Sequence, residues 1–174
     1  MEHPDYSRYR GLVGPLLTSP AVLERDALRR FTQAIMDDDP LYHDDTHARQ
    51  TLFGEVVAPP LMPVHMFRRA PGSPDPLRAI QDDPDSDGTA GSDSLYLGLP
   101  PIETPFKRLL NGGGDIEFYR ALKLGEAATA QARYLDVELK LGASGAFVAF
   151  VIETTWRTGA GELLLIQRRT FIWR

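Results

Sequence analysis

Ala146-Phe147-Val148-Ala149-Phe150-Val151-Ile152 carries apolar side chains on both phases of a strand's alternation: Phe147, Ala149 and Val151 on one, Val148, Phe150 and Ile152 on the other. A strand with one wet face alternates apolar with polar residues. This one therefore predicts burial from both sides, by a helix on one face and by a second sheet or subunit on the other. The segments Asp115–Arg120, Glu126–Lys140 and Glu162–Trp173 around it are also rich in β-formers. The turn signals Leu124-Gly125-Glu126, Gly142-Ala143-Ser144-Gly145 and Thr158-Gly159-Ala160-Gly161 separate the segments, and turns this short predict three successive hairpins. The expected architecture is α+β, an antiparallel sheet wrapped around a helix, with an oligomeric contact.

The chain has 174 residues, 43% of them apolar and 25% charged, enough for one domain with a sizeable core. Residues 1–19, interrupted by Gly11, Gly14 and Pro15, read as an N-terminal arm, and residues 20–174 as a single domain. The absence of cysteine excludes disulfides, thiolate catalysis and cysteine-ligated metal centres. No basic region precedes an apolar run at the N-terminus, and no apolar run approaches the roughly 20 residues of a membrane span, so a cytoplasmic protein without a membrane partner is expected. A net charge of −5 argues against nucleic acid as a partner. Residues 71–94, dominated by Pro, Asp, Gly and Ser, read as a long insertion, either a cover for a pocket or a solvated loop.

Upstream, Ala27, Leu28, Phe31, Ala34 and Ile35 recur at helical spacing and predict an amphipathic helix over Asp26–Met36, capped by Asp26. It must stop near Asp37–Pro40, because three aspartates oppose the dipole of a helix C-terminus and Pro40 biases Asp39 away from helical geometry. The next stretch, Asp37-Asp38-Asp39-Pro40-Leu41-Tyr42-His43-Asp44-Asp45-Thr46-His47-Ala48, crowds ionisable groups onto a loop. Asp44 or Asp45 suits the N-cap of a short helix from Asp45 to about Phe53. The apolar run Val56–Phe67 then allows a buried helix with Pro59 or Pro60 in its first turn, its regularity limited by Pro63.

The loop admits several readings. As a charge run it is a solvated acidic turn. On a helix, His43 and His47 would share a face and grip a metal, with Asp44 where a zinc protease places its glutamate, which makes a metal-dependent hydrolase one alternative. Against that, the glutamate is missing and His3 and His65 are poor third ligands.

The surroundings favour a third reading. Phe31–Ile35, Asp37–Asp44, Ala48, Val57-Ala58-Pro59-Pro60, Leu110-Asn111-Gly112-Gly113 and Tyr119-Arg120-Ala121-Leu122-Lys123-Leu124-Gly125-Glu126 occur in this order. Together they resemble the MaoC-like hotdog family, in its N-terminal dehydratase-type branch. That branch is related to the dehydratase domain of type I fatty acid synthases and to hydroxyacyl-carrier-protein dehydratase subunits. The resemblance covers about residues 20–70 and 105–174. It implies a hotdog fold, with the central helix begun near Ala58–Pro60. The family's loop reads Asp-x-Asn-Pro-x-His-x-Asp, followed by an alanine. With Pro40 on the proline, Asp37 falls on the catalytic aspartate, Asp39 on the asparagine, Tyr42 on the catalytic histidine, Asp44 on the last aspartate and Ala48 on the alanine.

The implied activity is that of an enoyl-thioester hydratase or 3-hydroxyacyl-thioester dehydratase of fatty acid metabolism, a lyase acting on acyl-CoA or acyl-carrier-protein thioesters without cofactor or metal. A histidine titrating near 6.5 exchanges protons at neutral pH, whereas a tyrosine near 10 does not. Chains with tyrosine here resemble the non-catalytic partners of heteromeric dehydratases. The implied assembly is therefore a homo- or heterodimer with another hotdog subunit that carries the dyad. Backbone groups near Ala58 and Pro59 are the implied remnant of the carbonyl-polarising site. Asn111, Gly112 and Gly113 form either the approach to the next strand or a turn. Two alternatives stay open: a one-residue bulge that aims His43 inward with Asp38, and a catalytically silent homodimer that binds an acyl thioester or a small apolar ligand.

Overall fold

In the computed structural model, the described residues are 4–67, 95–143 and 145–174, with Gly72, Arg78, Gln81 and Pro84 between them. The insertion expected at 71–94 thus lies almost wholly outside the described residues. Among these residues, strands β1 (Leu17–Thr18), β2 (Leu109–Phe118), β3 (Ala128–Gly142), β4 (Gly145–Thr158) and β5 (Leu163–Trp173) form one antiparallel sheet in the order β1-β3-β4-β5-β2. No helix among the described residues is long and apolar enough to cross a membrane.

The two faces of β4 differ more than its composition suggests. Val148, Phe150, Ile152 and Trp156 on the inner face are at most 1% exposed, each side chain contributing about 1.5–3 kcal/mol by leaving water. On the outer face Phe147, Ala149 and Val151 are only half-buried. Glu153 follows them there, accepting hydrogen bonds from Arg133 on β3 (2.8 Å) and from Arg168 on β5 (2.7 Å). Arg168 also reaches Glu117 on β2, so one ladder of charges crosses four strands.

Strand β3 shows how side-chain alternation records backbone geometry. Ala128, Ala130, Ala132 and Tyr134 face inward at even positions, whereas Val137 and Leu139 do so at odd ones. The register shifts between Tyr134 and Asp136, a bulge that absorbs the change of phase and keeps the inner face apolar.

Two of the three expected hairpins form, β3–β4 and β4–β5. The third does not. β2 pairs with β5, and residues 119–127 cross the end of the sheet to reach β3 on the far side. The turn at Gly125 (φ 81°) is a local bend inside that connection. Asn111 and Gly112, expected before the strand or in a turn, lie inside β2, where the ladder bulges between Asn111 and Gly114.

Helix α1 spans Arg25–Ala34, preceded by Glu24, which makes no side-chain cap bond. The expected cap, Asp26, instead sits in the first turn and binds Arg29 (2.6 Å) and Arg30 (2.7 Å). Only a narrow stripe of Leu28, Phe31 and Thr32 turns inward, while Ala27, Ala34 and Ile35 are exposed. Helix α2 covers Asp45–Arg49 and stops short of Phe53, with Asp44 as its N-cap accepting from the N–H groups of Thr46 (2.7 Å) and His47 (3.1 Å). Where the central helix is expected to begin at Ala58–Pro60, a 3₁₀ turn begins at Met62 and runs to Met66. Pro63 occupies its start, where a missing N–H costs nothing. This turn, with Phe67 edge-on to Trp156 at 5.1 Å, covers the inner face of the sheet.

Glycine at 114 is required by close approach, since a Cβ there would collide with the carbonyl oxygen of Arg168. Gly114→Ala is expected to cost about 1–3 kcal/mol through forced displacement of β2. A lowered urea midpoint would register it.

Candidate active site

The loop that carries the motif is built by two local devices. Helix α1 ends in a Schellman motif: Met36 N–H donates to Gln33 C=O (3.2 Å) and Asp37 N–H to Thr32 C=O (2.9 Å), with Met36 in the left-handed region at φ 55°. The aspartates and Pro40, expected to stop the helix, lie beyond its last turn. The left-handed residue does it, and Asp37 is thereby fixed to the helix end. The second device is Asp39, whose carboxylate accepts the N–H of Leu41 (2.9 Å) and opens a 3₁₀ turn over Pro40–Tyr42. The N–H of Asp44 closes onto the carbonyl of Pro40 (2.8 Å), leading directly into α2.

These turns bring Asp37, Asp39 and Tyr42 together and leave the rest of the cluster outside. Asp37 and Tyr42 are half-buried, whereas Asp38 and His43 are exposed. Burial, followed by the negative charges of Asp37 and Asp39, pushes the Tyr42 phenol above its ordinary value. At neutral pH the phenol is a neutral hydrogen-bond donor facing carboxylates, and a poor base. His43 precedes the cap of α2 while His47 lies within that helix, so the helical spacing that would put both on one face is missing. Among the described residues no group of three or more His, Asp or Glu side chains is placed to hold a metal.

Ala58 is buried and its N–H donates to the carbonyl of Leu122 (2.8 Å). That N–H is engaged within the fold, so a carbonyl-polarising role for this stretch falls to the backbone groups that follow. Pro59 and Pro60 carry no N–H, which makes Leu61's the first beyond it. Asn111 and Gly112 belong to the edge strand β2. A cavity of about 230 Å³ opens between Phe53, Pro60, Phe118 and Tyr119, and an apolar one of about 170 Å³ between Val22, Leu23, Met62 and His65.

Tyr119–Glu126, part of the family resemblance, carries no evident task in the sequence alone. The structure supplies one. Arg120 donates to both oxygens of Glu126 (2.7 Å each), which also accepts the N–H of Lys123 (2.8 Å). This clamp holds the connection to which Ala58 is bonded. An Arg and a Glu six residues apart around a Gly-containing turn were the available signal.

An antiparallel sheet closed over a short helical turn, with an acidic loop ahead of a capped helix, is the architecture of the MaoC-like hotdog proteins. Residues 15–167 match the family model for the FAS1-like dehydratase domain region, and the chain belongs to that family. A UPF0336 protein of Thermobifida fusca is 26% identical over 146 residues, spanning 84% of this chain and 79% of the relative. Among solved structures, the ChsH1-ChsH2 complex of Mycobacterium tuberculosis aligns with a TM-score of 0.67 and 19% identity over 92% of this chain and 83% of the neighbour. The R-hydratase PhaJ1 of Pseudomonas aeruginosa aligns with a TM-score of 0.58 and 17% identity, over 94% and 81%. The HadBC 3R-hydroxyacyl-ACP dehydratase complex of M. tuberculosis aligns with a TM-score of 0.59 and 14% identity, over 94% and 96%. At these identities the structural likeness speaks for the fold.

The clamp makes a pH prediction. Its hydrogen bonds from Arg120 hold the Glu126 carboxyl below its ordinary value, so the unfolded chain takes up the proton first. The stabilisation is complete above the unfolded value of 4.5 and is lost as pH falls through the lower folded value. Glu126→Gln should cost about 1–3 kcal/mol at pH 7 and flatten the acid limb of stability against pH. Urea midpoints at pH 7 and in the acid range would measure both.

Proposed function

We propose that this chain is a hotdog subunit of an enoyl-thioester hydratase or 3-hydroxyacyl-thioester dehydratase, and that it is the non-catalytic member of a pair. The observation that carries the reading is the placement of Tyr42 beside Asp37 at the motif positions, with its phenol raised first by burial and then by the neighbouring carboxylates. Hydration of an enoyl thioester requires a group that takes a proton from water and returns it to carbon. Asp37 can orient water, but Tyr42 holds its proton too tightly to serve as the base. A partner hotdog subunit with an intact Asp and His would supply the chemistry, and this chain would shape the acyl site. The existence of ChsH1-ChsH2 and HadBC as complexes supports a heteromeric arrangement.

A second reading, a catalytically silent homodimer binding an acyl thioester, draws on the same raised phenol and on the apolar cavity between Leu23, Met62 and His65. It differs in needing no partner.

Hydration of crotonyl-CoA should be undetectable with this chain alone and appear on co-expression with a hotdog subunit bearing the dyad. Tyr42→His should raise the activity of the isolated chain by about 10²-fold or more over Tyr42→Phe, since it restores a base beside Asp37. Activity of the isolated chain that survives Tyr42→Phe and vanishes in His43→Ala would overturn the register and the reading together. Failure of every hotdog partner to confer activity, with acyl-CoA still bound, would favour the silent homodimer.

A further inference from the structure

The sheet ends at β2, with no strand beyond it among the described residues. From Gly114 to Phe118 this strand keeps unbroken register with β5, so its other side offers a regular row of backbone donors and acceptors. Edge strands commonly carry a proline or a lysine that discourages an added strand, and Leu109–Phe118 has neither. Its two ends instead bring exposed apolar side chains: Leu110 is 38% exposed, Phe118 52% and the following Tyr119 55%. An edge of this kind is suited to being covered.

One strand in from this rim lies a cation without a counter-charge. Arg169, on the inner phase of β5, sets its guanidinium over the Phe171 ring at 5.1 Å and reaches the carbonyl of Leu95 only at 3.4 Å. No carboxylate among the described residues pairs with it, whereas Arg168, on the outer face, is bound to both Glu153 and Glu117. Burial lowers the Arg169 pKa, the mark of a charge that has lost water. A cavity of about 210 Å³ lies beside it, lined also by Asn111, Gly113, Gly114, Ile116 and Gln167. Gly114 stands directly opposite Arg169 in the ladder, so that position of β2 puts no side chain between the guanidinium and the rim. An added strand would lie about 10 Å from β5, two strand spacings, a gap that an arginine and a carboxylate side chain bridge together.

The rim's own charges are on the wrong side to fill this need. Asp115 and Glu117 stand opposite Arg168 and Ile166, on the outer phase, while the inner positions Gly114, Ile116 and Phe118 are uncharged. A sheet continued across a two-fold axis normal to it keeps its inner and outer faces. A second copy of this chain would therefore bring its carboxylates to the outer face and leave both Arg169 side chains without a counter-charge.

We propose that the β2 rim receives a hotdog subunit different from this chain, one with an aspartate or glutamate on the inner face of its own edge strand, and that Arg169 selects this partner over a second copy by pairing with that carboxylate. Selection of this kind works by penalty as much as by attraction, since a cation left unpaired disfavours the wrong partner. The assignment rests on the non-catalytic reading above. It goes beyond that reading in naming the surface, the chemistry of the partner and the residue that tells partner from copy.

Sedimentation equilibrium of the full-length chain tests the assignment. In sodium chloride the wild-type chain should self-associate weakly, and Arg169→Met should tighten self-association at least about tenfold by removing the unpaired charge. Sodium acetate at equal ionic strength, its carboxylate standing in for the partner's, should tighten the wild-type chain and leave Arg169→Met unmoved. Co-expressed with the dyad-bearing subunit, the wild-type chain should co-purify as a complex that Arg169→Glu loses and Arg169→Lys keeps in part. Wild-type self-association that is the same in chloride and acetate overturns the proposal and leaves the non-catalytic reading to the hydration assay. A heteromer as tight with Arg169→Met as with the wild-type chain overturns it likewise. Failure of every dyad-bearing subunit to form a complex overturns the non-catalytic reading and this proposal with it. The comparison of chloride with acetate requires no variant, so it decides the matter even where Arg169→Met fails to fold.

Discussion

The ion pair between Arg120 and Glu126 holds the one segment on which the other parts of the molecule converge. Because β2 sits beside β5 at the far edge, the chain must cross the end of the sheet before it can begin β3. That crossing segment accepts the Ala58 N–H through Leu122 and exchanges bonds with Leu23 through Gly125 and Glu126 (2.9 and 2.8 Å). Leu23 leads into α1, and Ala58 leads into the central turn. The entry to the acidic loop and the entry to the core-covering turn are thus both referenced to one clamp. Half-buried and doubly bonded, the pair has the geometry in which a charge-assisted bond outweighs its desolvation.

The acidic loop is held chiefly by backbone and carboxylate bonds of its own. Asp39 and Asp44 spend their oxygens on N–H groups of the turns they open, which leaves Asp37 the half-buried carboxylate of the cluster. Tyr42 then stands in a field that favours its proton. A histidine in the same field would be made a stronger base, because its charged, protonated form is favoured, whereas a phenol is driven away from its charged form. One set of carboxylates therefore assists one residue type and silences the other.

The strands β3, β4 and β5 are legible because their turns are short and their residues favour strands; the bulge between Tyr134 and Asp136 emerges only from the pairing of β3 with β4. The pairing of β2 is not. Its Asn111-Gly112-Gly113-Gly114 run lacks side chains to mark a face, and short-range turn signals carry no information about which edge a strand joins. The end of α1 was predicted at the right place for an incomplete reason, since a methionine in the left-handed region is not a pattern that composition announces. The exposure of Ala27 and Ile35 shows how a helix that touches the protein along only one stripe buries fewer residues than its periodicity offers. At the site, spacing identified Asp37 and Tyr42, but the bonding of Ala58 depends on a carbonyl 64 positions away in sequence and could not be read from either segment alone.

The two rims of the sheet are unequal. Along β3, the arm's residues from Gly11 to Ser19 already occupy the backbone between Ala128 and Tyr134, and beyond them Glu138 and Lys140 charge what remains. β2 presents ten residues whose outward backbone groups have no strand beside them among the described residues. Among the described residues, a strand added to the sheet would meet free backbone along β2 but would have to displace the arm along the first half of β3.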